Sequence, residues 1–352
     1  MIVPAASRLL TISSGAIAAA WGWWQLDASP GLFWRNKLQQ SAKMPHPQRL
    51  WIIGASSGIG EEFAYQWVDR QPSGSHLILS SRSEDRLQAI ASTCRQRNPD
   101  CQVHVHPMDV TSSPEQLSAF VQSLPVRQID TVWLNAGQGQ LATCTETTPY
   151  MVQQTVQANA LWPILLTPFL LEHGVFSQTN QNGENKPAHI MVTSSVAGKV
   201  AVPLSAVYAA SKHFLHGYFR SLVAESALSV DLLCPGPIDT AFSQNRVALS
   251  EKESSSPSSG SDGSSLSQSN SSSKLKMTSP RCASLILTAY QNALAKKGIR
   301  EVWISPQPAL TVLYVQQFFP SLAQWAINRV GAKRVELYQR GLDLYDPESW
   351  KK

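Results

Sequence analysis

Tyr208 and Lys212 stand four positions apart in the run Val-Tyr-Ala-Ala-Ser-Lys, and their types and spacing suggest proton chemistry. Positions i and i+4 share a helix face, so the ammonium can lie beside the phenol. A free phenol titrates at about pH 10, and a fixed cation favours its ionised form. The expectation is a Tyr208 made more acidic by Lys212, able to exchange a proton with an alcohol near neutral pH. That is the chemistry of carbonyl–alcohol interconversion. The pair alone fits an ordinary amphipathic helix equally well, so its neighbours must decide. Ser195 follows an apolar run that reads as a buried strand, in Val-Thr-Ser-Ser-Val-Ala-Gly. A serine at such a strand end can hold a substrate oxygen beside the tyrosine.

A second element must position whatever reacts there. The apolar run Leu50 to Ile53 reads as a central strand, and Gly54-Ala-Ser-Ser-Gly-Ile-Gly60 comes at once after it. From Glu61 to Arg70 the spacing of Phe63, Ala64 and Trp67 is helical. Strand, glycine turn and helix together make a phosphate cradle. Gly54 permits the tight turn, Gly58 lets a pyrophosphate approach the backbone, and Gly60 brings helix against sheet. The helix N-terminus offers unpaired N–H groups to the anion. Ser56, Ser57 and Ile59 complete the expected cofactor-binding turn.

The glycine spacing Gly-x3-Gly-x-Gly, Ser195 and the Tyr208–Lys212 pair, in this order, resemble the short-chain dehydrogenase/reductase family. Further residues match its pattern. Asp109 in Met-Asp-Val-Thr falls where the family contacts the adenine. Asn135, Ala136 and Gly137 match the motif that steadies the fourth strand beside the cofactor. Asn159 falls at the asparagine of the catalytic tetrad, which the resemblance implies holds a water in the proton relay. Pro235, Gly236, Ile238 and Thr240 match the segment lining the nicotinamide and pyrophosphate. The resemblance also implies that Lys212 bonds the nicotinamide ribose. Ile53, Leu134 and Trp162 depart from common family residues, yet no reacting group is lost. The C-terminal stretch from Glu301 to Glu336 is similar to a membrane-associated branch of the family that uses NADP(H) and is linked to retinoid and steroid carbonyls.

The second strand ends in Ser81-Arg82, with no carboxylate before Glu84. In dinucleotide sites an acidic residue here binds the NAD ribose, whereas an arginine accommodates the 2′-phosphate of NADP. Arg82 is therefore the expected clamp, through its planar guanidinium, and NADP(H) the expected cofactor.

Strand candidates at 50–53, 76–81, 101–106, 129–134, 188–194, 229–234 and 300–305 alternate with helical segments. This is an α/β, Rossmann-type doubly wound parallel sheet of about seven strands in a single domain. The expected division is an N-terminal hydrophobic segment and linker over 1–47, a catalytic NADP-binding domain over 48–306, and C-terminal apolar helices and tail over 307–352. A Ser-rich insert, Ser250 to Ser273, cannot bury enough apolar surface to order itself and is expected to be disordered. Ser177 to Lys186 reads as a smaller surface insertion. Leu310 to Ile327, interrupted by Pro320, reads as two short helices: a substrate lid, a second membrane contact, or a plain packing element.

The 352 residues carry a formal charge of +5 from 29 basic and 24 acidic side chains with no long basic run, so nucleic-acid binding has no support. Five cysteines lack paired metal spacing and read as reduced core thiols, with no disulfide framework and no metal site. From Leu9 to Leu26 no charge appears. Eighteen helical residues span about 27 Å, slightly short of a bilayer core of about 30 Å. A signal anchor, a cleaved signal peptide, an organelle transit peptide and an interfacial helix all stay open, an endoplasmic-reticulum membrane anchor being the favoured expectation. The expected activity is NADP(H)-dependent interconversion of a carbonyl and an alcohol on a small lipophilic substrate, with a homodimer possible on family grounds. The alternative is an NADP-binding scaffold or redox sensor without turnover.

Overall fold

The computed structural model of the chain describes residues 19–39, 42–179, 183–240, 275–293 and 298–351. Its centre is a parallel sheet of seven strands: β1 Arg49–Ile53, β2 His76–Ser80, β3 Gln102–Val105, β4 Thr131–Leu134, β5 Ala188–Thr193, β6 Leu228–Pro235 and β9 Gly298–Ile304. Their order across the sheet is β3-β2-β1-β4-β5-β6-β9, so the chain reverses its direction of travel between β1 and β4. Every expected strand is present.

The central strands form because they are short, mainly apolar runs covered on both faces, whereas the edge strands β3 and β9 carry polar residues and are only partly buried. Leu50, Trp51, Ile52 and Ile53 of β1 are all fully buried. Alternate residues feed two separate cores: Leu50 and Ile52 join Phe63, Ala64 and Trp67, while Trp51 and Ile53 join Trp162, Leu166 and Phe219. Helices Gly58–Val68, Glu84–Arg97 and Ser279–Gln291 lie in the first layer; Pro114–Gln122, Trp162–Glu172 and Ala206–Glu225 lie in the second. A doubly wound sheet of this kind opens its ligand crevice at the carboxyl ends of the strands, where the order reverses.

The loop after β6 returns through two short strands, β7 Ile238–Asp239 and β8 Met277–Thr278, paired Ile238 with Met277 and Asp239 with Thr278. The two strands pair parallel, and in sequence they flank the serine-rich stretch. Ser250 to Ser273 itself lies outside the described residues, as does Ala241 to Leu249.

Two expectations need adjustment. Pro320 does divide the C-terminal segment, but the second helix runs from Pro320 to Gln339 and is long: proline is tolerated at its first turn, and nothing breaks it before Arg340. All five cysteines are free, yet only Cys94, Cys101, Cys234 and Cys282 are core thiols, and Cys144 is exposed. The first eighteen residues of the chain, which hold most of the N-terminal hydrophobic stretch, lie outside the described residues. The remainder of that stretch is docked: Trp23 donates to Thr311 Oγ1 at 3.0 Å and packs edge-on against Tyr314.

Candidate active site

Gly54 comes directly after β1 with φ +98°, a backbone region that disfavours any side chain, and a Cβ there would sit 2.5 Å from the Ala136 nitrogen. The turn is held from below: Gly54 N and Ala55 N both donate to the Ser80 carbonyl, while Asn135 Nδ2 donates to the Gly54 carbonyl at 2.8 Å. Gly60 fulfils its expected role, since a Cβ would lie 2.3 Å from the Gly54 oxygen. Helix Gly58–Val68 starts here with Ser57 as its N-cap, and no side chain caps its first amides. Open N–H groups at a helix start, beneath a backbone stripped of side chains, fit a pyrophosphate.

A cleft of about 860 Å³ runs from this turn along the carboxyl edge of the sheet. Its walls bring together Gly54, Ser56, Ser57, Gly58, Ile59, Arg82, Asn135, Ala136, Gly137, Ser195, Tyr208, Lys212, Pro235, Gly236, Ile238 and Thr240. Residues scattered along the sequence thus meet as expected. Another hollow, of about 960 Å³, lies at the amino edge around Arg49, Asp130, Lys186 and His189, far from any of these groups.

Asp109 and Asn159 are placed differently from the rest. Asp109 Oδ1 accepts from the amide and hydroxyl of Thr111, at 2.8 and 2.7 Å, while the flanking Met108, Val110 and Thr111 line the cleft. Asn159 is buried in a π-helical turn, Gln157–Leu161. Its amide is paired with the main chain of Gln138: Oδ1 accepts from Gln138 N at 2.7 Å and Nδ2 donates to Gln138 O at 2.9 Å. Trp162 sits beneath it in the core and donates to the Ala158 carbonyl.

Ser195 lies just past β5, where its Oγ accepts from Ala197 N at 3.1 Å and approaches Pro235 O at 3.3 Å. It also hydrogen-bonds the Tyr208 side chain. Lys212, one turn further along helix Ala206–Glu225, is buried and donates to the Thr193 carbonyl at 2.8 Å. Its Nζ stands 5.8 Å from the centre of the Tyr208 ring.

The expected acidification of Tyr208 is not present in this state. Burial pushes the phenol up to about 12; the Ser195 hydrogen bond pulls the other way, and Tyr345 adds to the rise. Burial likewise lowers the Lys212 amine to about 8. Both groups are withdrawn from water, and desolvation is the largest cause of the shift at each.

Several cleft residues carried no recognisable signal in the sequence. Arg86 lines the same edge as Arg82, with Nε donating to Ser83 Oγ at 3.1 Å. The one hint was its i+4 spacing from Arg82 across the start of a helix. Tyr150 and Gln154 come from helix Pro149–Val156 and belong to no motif.

Sheet order, glycine turn and the serine–tyrosine–lysine cluster define a dinucleotide-dependent oxidoreductase, and comparison with known proteins agrees. The short chain dehydrogenase family model matches residues 48–250, and the chain belongs to that family. It is 33% identical to human dehydrogenase/reductase SDR family member 7, over 84% of this chain and 80% of that protein. The mouse protein of the same name is 29% identical over 84% and 81%. Among solved structures, an alcohol dehydrogenase from Thermococcus sibiricus complexed with 5-hydroxy-NADP has a TM-score of 0.58 at 20% identity, covering 74% of this chain and 98% of that one. A short chain dehydrogenase/reductase from Burkholderia phymatum in complex with NAD has a TM-score of 0.55 at 20% identity, covering 86% and 98%. These structures share the fold.

Proposed function

We propose that this chain is an NADP(H)-dependent oxidoreductase that interconverts a carbonyl and an alcohol on a lipophilic substrate such as a retinoid or steroid. The observation that carries this reading is the convergence of Ser195, Tyr208 and Lys212 on the cleft that begins at the glycine turn. When bound, the nicotinamide cofactor supplies or takes up the hydride. The protein supplies everything else. Ser195 holds the substrate oxygen by donating its hydroxyl hydrogen. Tyr208 gives its proton to that oxygen, and takes it back in the reverse direction. Lys212, with its amine lowered only to about 8, is still mostly charged at neutral pH and favours the phenolate as it forms. Asn159 serves the relay by holding its water, with its side-chain amide paired to the main chain of Gln138.

The preference for NADP(H) is supported by Arg82 and Arg86, two guanidiniums on the cleft edge beyond β2. The test is NADPH consumption across retinals, steroid ketones and quinones, with NADH in parallel. Silence with every carbonyl would remove the reading in favour of a non-catalytic scaffold.

We further propose membrane association, in the endoplasmic reticulum, through the N-terminal segment, with 48–306 as the catalytic unit and 307–352 as its C-terminal extension. In support, Trp21, Trp24 and Trp34 are exposed near the N-terminus, and Phe318, Phe319, Leu322 and Trp325 on the C-terminal helices. No helix among the described residues is long and apolar enough to cross a membrane. A homodimer is proposed on the exposed Phe214 of the tyrosine-bearing helix.

A further inference from the structure

We infer that His216 is a positioning residue, and that the chain Ser194–His216–Glu301 sets the alignment of Ser195 and the Lys212 turn according to the protonation of its imidazole. The inference rests on the proposed oxidoreductase reading for its effect on turnover.

His216 lies one helical turn beyond Lys212 and is buried against the sheet. Its Nδ1 stands 3.2 Å from Glu301 Oε1. An ionised carboxylate only accepts, so Nδ1 carries the hydrogen. Nε2, 2.9 Å from Ser194 Oγ, is then an acceptor, and the Ser194 hydroxyl donates to it. That hydroxyl also lies within hydrogen-bonding reach of the main-chain carbonyl of Lys212, at 3.4 Å. A second proton on the ring turns Nε2 into a donor. The Ser194 hydrogen is then displaced towards the Lys212 carbonyl. One protonation thus reverses the bond that ties the residue before Ser195 to the helix carrying Tyr208 and Lys212.

The surroundings are built for this contact. A Cβ on Gly198 would lie 2.5 Å from Ser194 Oγ and 2.9 Å from His216 Nε2, so only glycine leaves the two side chains room to meet. Glu301 is held on all sides, by Lys199, by Arg220 and by the Trp303 indole. The remaining ionisable groups facing the ring are the Cys234 thiol, 3.8 Å from Nε2, and Lys212 one turn back. Of the three side chains, the imidazole is the one whose second nitrogen can change from acceptor to donor.

The test uses full-length protein in detergent, comparing wild type with His216→Gln and Ser194→Ala. Rates with NADPH and a reducible ketone are followed across pH, with NADPH affinity by fluorescence and thermal midpoints alongside. The expected result is that His216→Gln lowers kcat about tenfold, leaves KM and NADPH affinity within about twofold, and loses a pH inflection that wild type shows. An inflection retained in His216→Gln, or a kcat equal to wild type, overturns the inference. If wild type reduces no carbonyl, the proposed function fails, and the ultraviolet titration of Tyr208, read against Tyr208→Phe, decides the inference separately. A Tyr208 titration displaced by His216→Gln sustains it; an unmoved one overturns it.

Discussion

Lys212 Nζ donates to the carbonyl oxygen of Thr193 at 2.8 Å, the last residue of β5 and two positions before Ser195. One buried amine therefore fixes the helix carrying Tyr208 to the strand end just before Ser195. In the state described, the lysine acts first as a tether and only then as an electrostatic partner of Tyr208.

Tyr208→Phe removes the proposed proton donor and leaves the cleft walls in place. Turnover is expected to fall by about 10²–10⁴-fold, the usual worth of a general acid, while NADPH still binds. Stopped-flow oxidation of bound NADPH together with fluorescence titration checks both halves. A rate near wild type would reject Tyr208 as the acid.

Because Arg82 and Arg86 share one edge of the cleft, replacing either by alanine is expected to weaken NADPH while sparing NADH. Hydrogen bonds to charged groups contribute about 1.5–3 kcal/mol each, or roughly tenfold to a hundredfold in affinity. Dissociation constants for both cofactors measure it, and equal losses for the two would show that neither arginine meets a phosphate.

Gly54→Ala combines a φ of +98° with a Cβ 2.5 Å from the Ala136 nitrogen. The left-handed conformation alone costs about 1–2 kcal/mol, and the contact with backbone adds to it. A lowered urea midpoint with unchanged slope is the expected outcome. Gly174→Ala offers a comparison, since φ is +58° there but nothing lies near the new atom.

Burial alone would raise the Glu301 carboxyl, but hydrogen bonds from His216 and Arg220, with Lys199 nearby, outweigh it and hold the group well below the usual carboxylate range. A depressed carboxyl stabilises the fold above its unfolded pKa of about 4.3 and loses that contribution as pH falls towards the folded value. Wild type should therefore exceed Glu301→Gln in thermal midpoint at pH 7, with the gap closing below about pH 4. A gap constant with pH would mean that the carboxylate is not held by these partners.

Flotation with liposomes examines the exposed aromatic residues. Changing Phe318, Phe319, Leu322 and Trp325 together to serine should reduce flotation of the full chain, and unchanged flotation would confine membrane contact to the N-terminal segment.

The seven strands, the glycine turn and the pair on one helix face were all readable from the chain, because each is local. A strand buried on both faces is a continuous apolar run, a cradle is a glycine spacing, and i+4 neighbours share a face whatever surrounds them. Asn159 was found by its place in a pattern, but its use was not, since the hydrogen bonds to Gln138 join residues 21 positions apart. Arg86 looked like any solvated helix residue until the cleft edge was in view.

What the amino-acid order determined by itself was therefore the inventory: a dinucleotide cradle, a serine, a tyrosine and a lysine set out along a doubly wound sheet. What only the tertiary structure decided was their environment. Whether burial or a neighbouring charge governs the Tyr208 phenol, and whether Ser194, His216 and Glu301 touch at all, depends on water exclusion and on distances between strands, quantities that no spacing along the chain encodes.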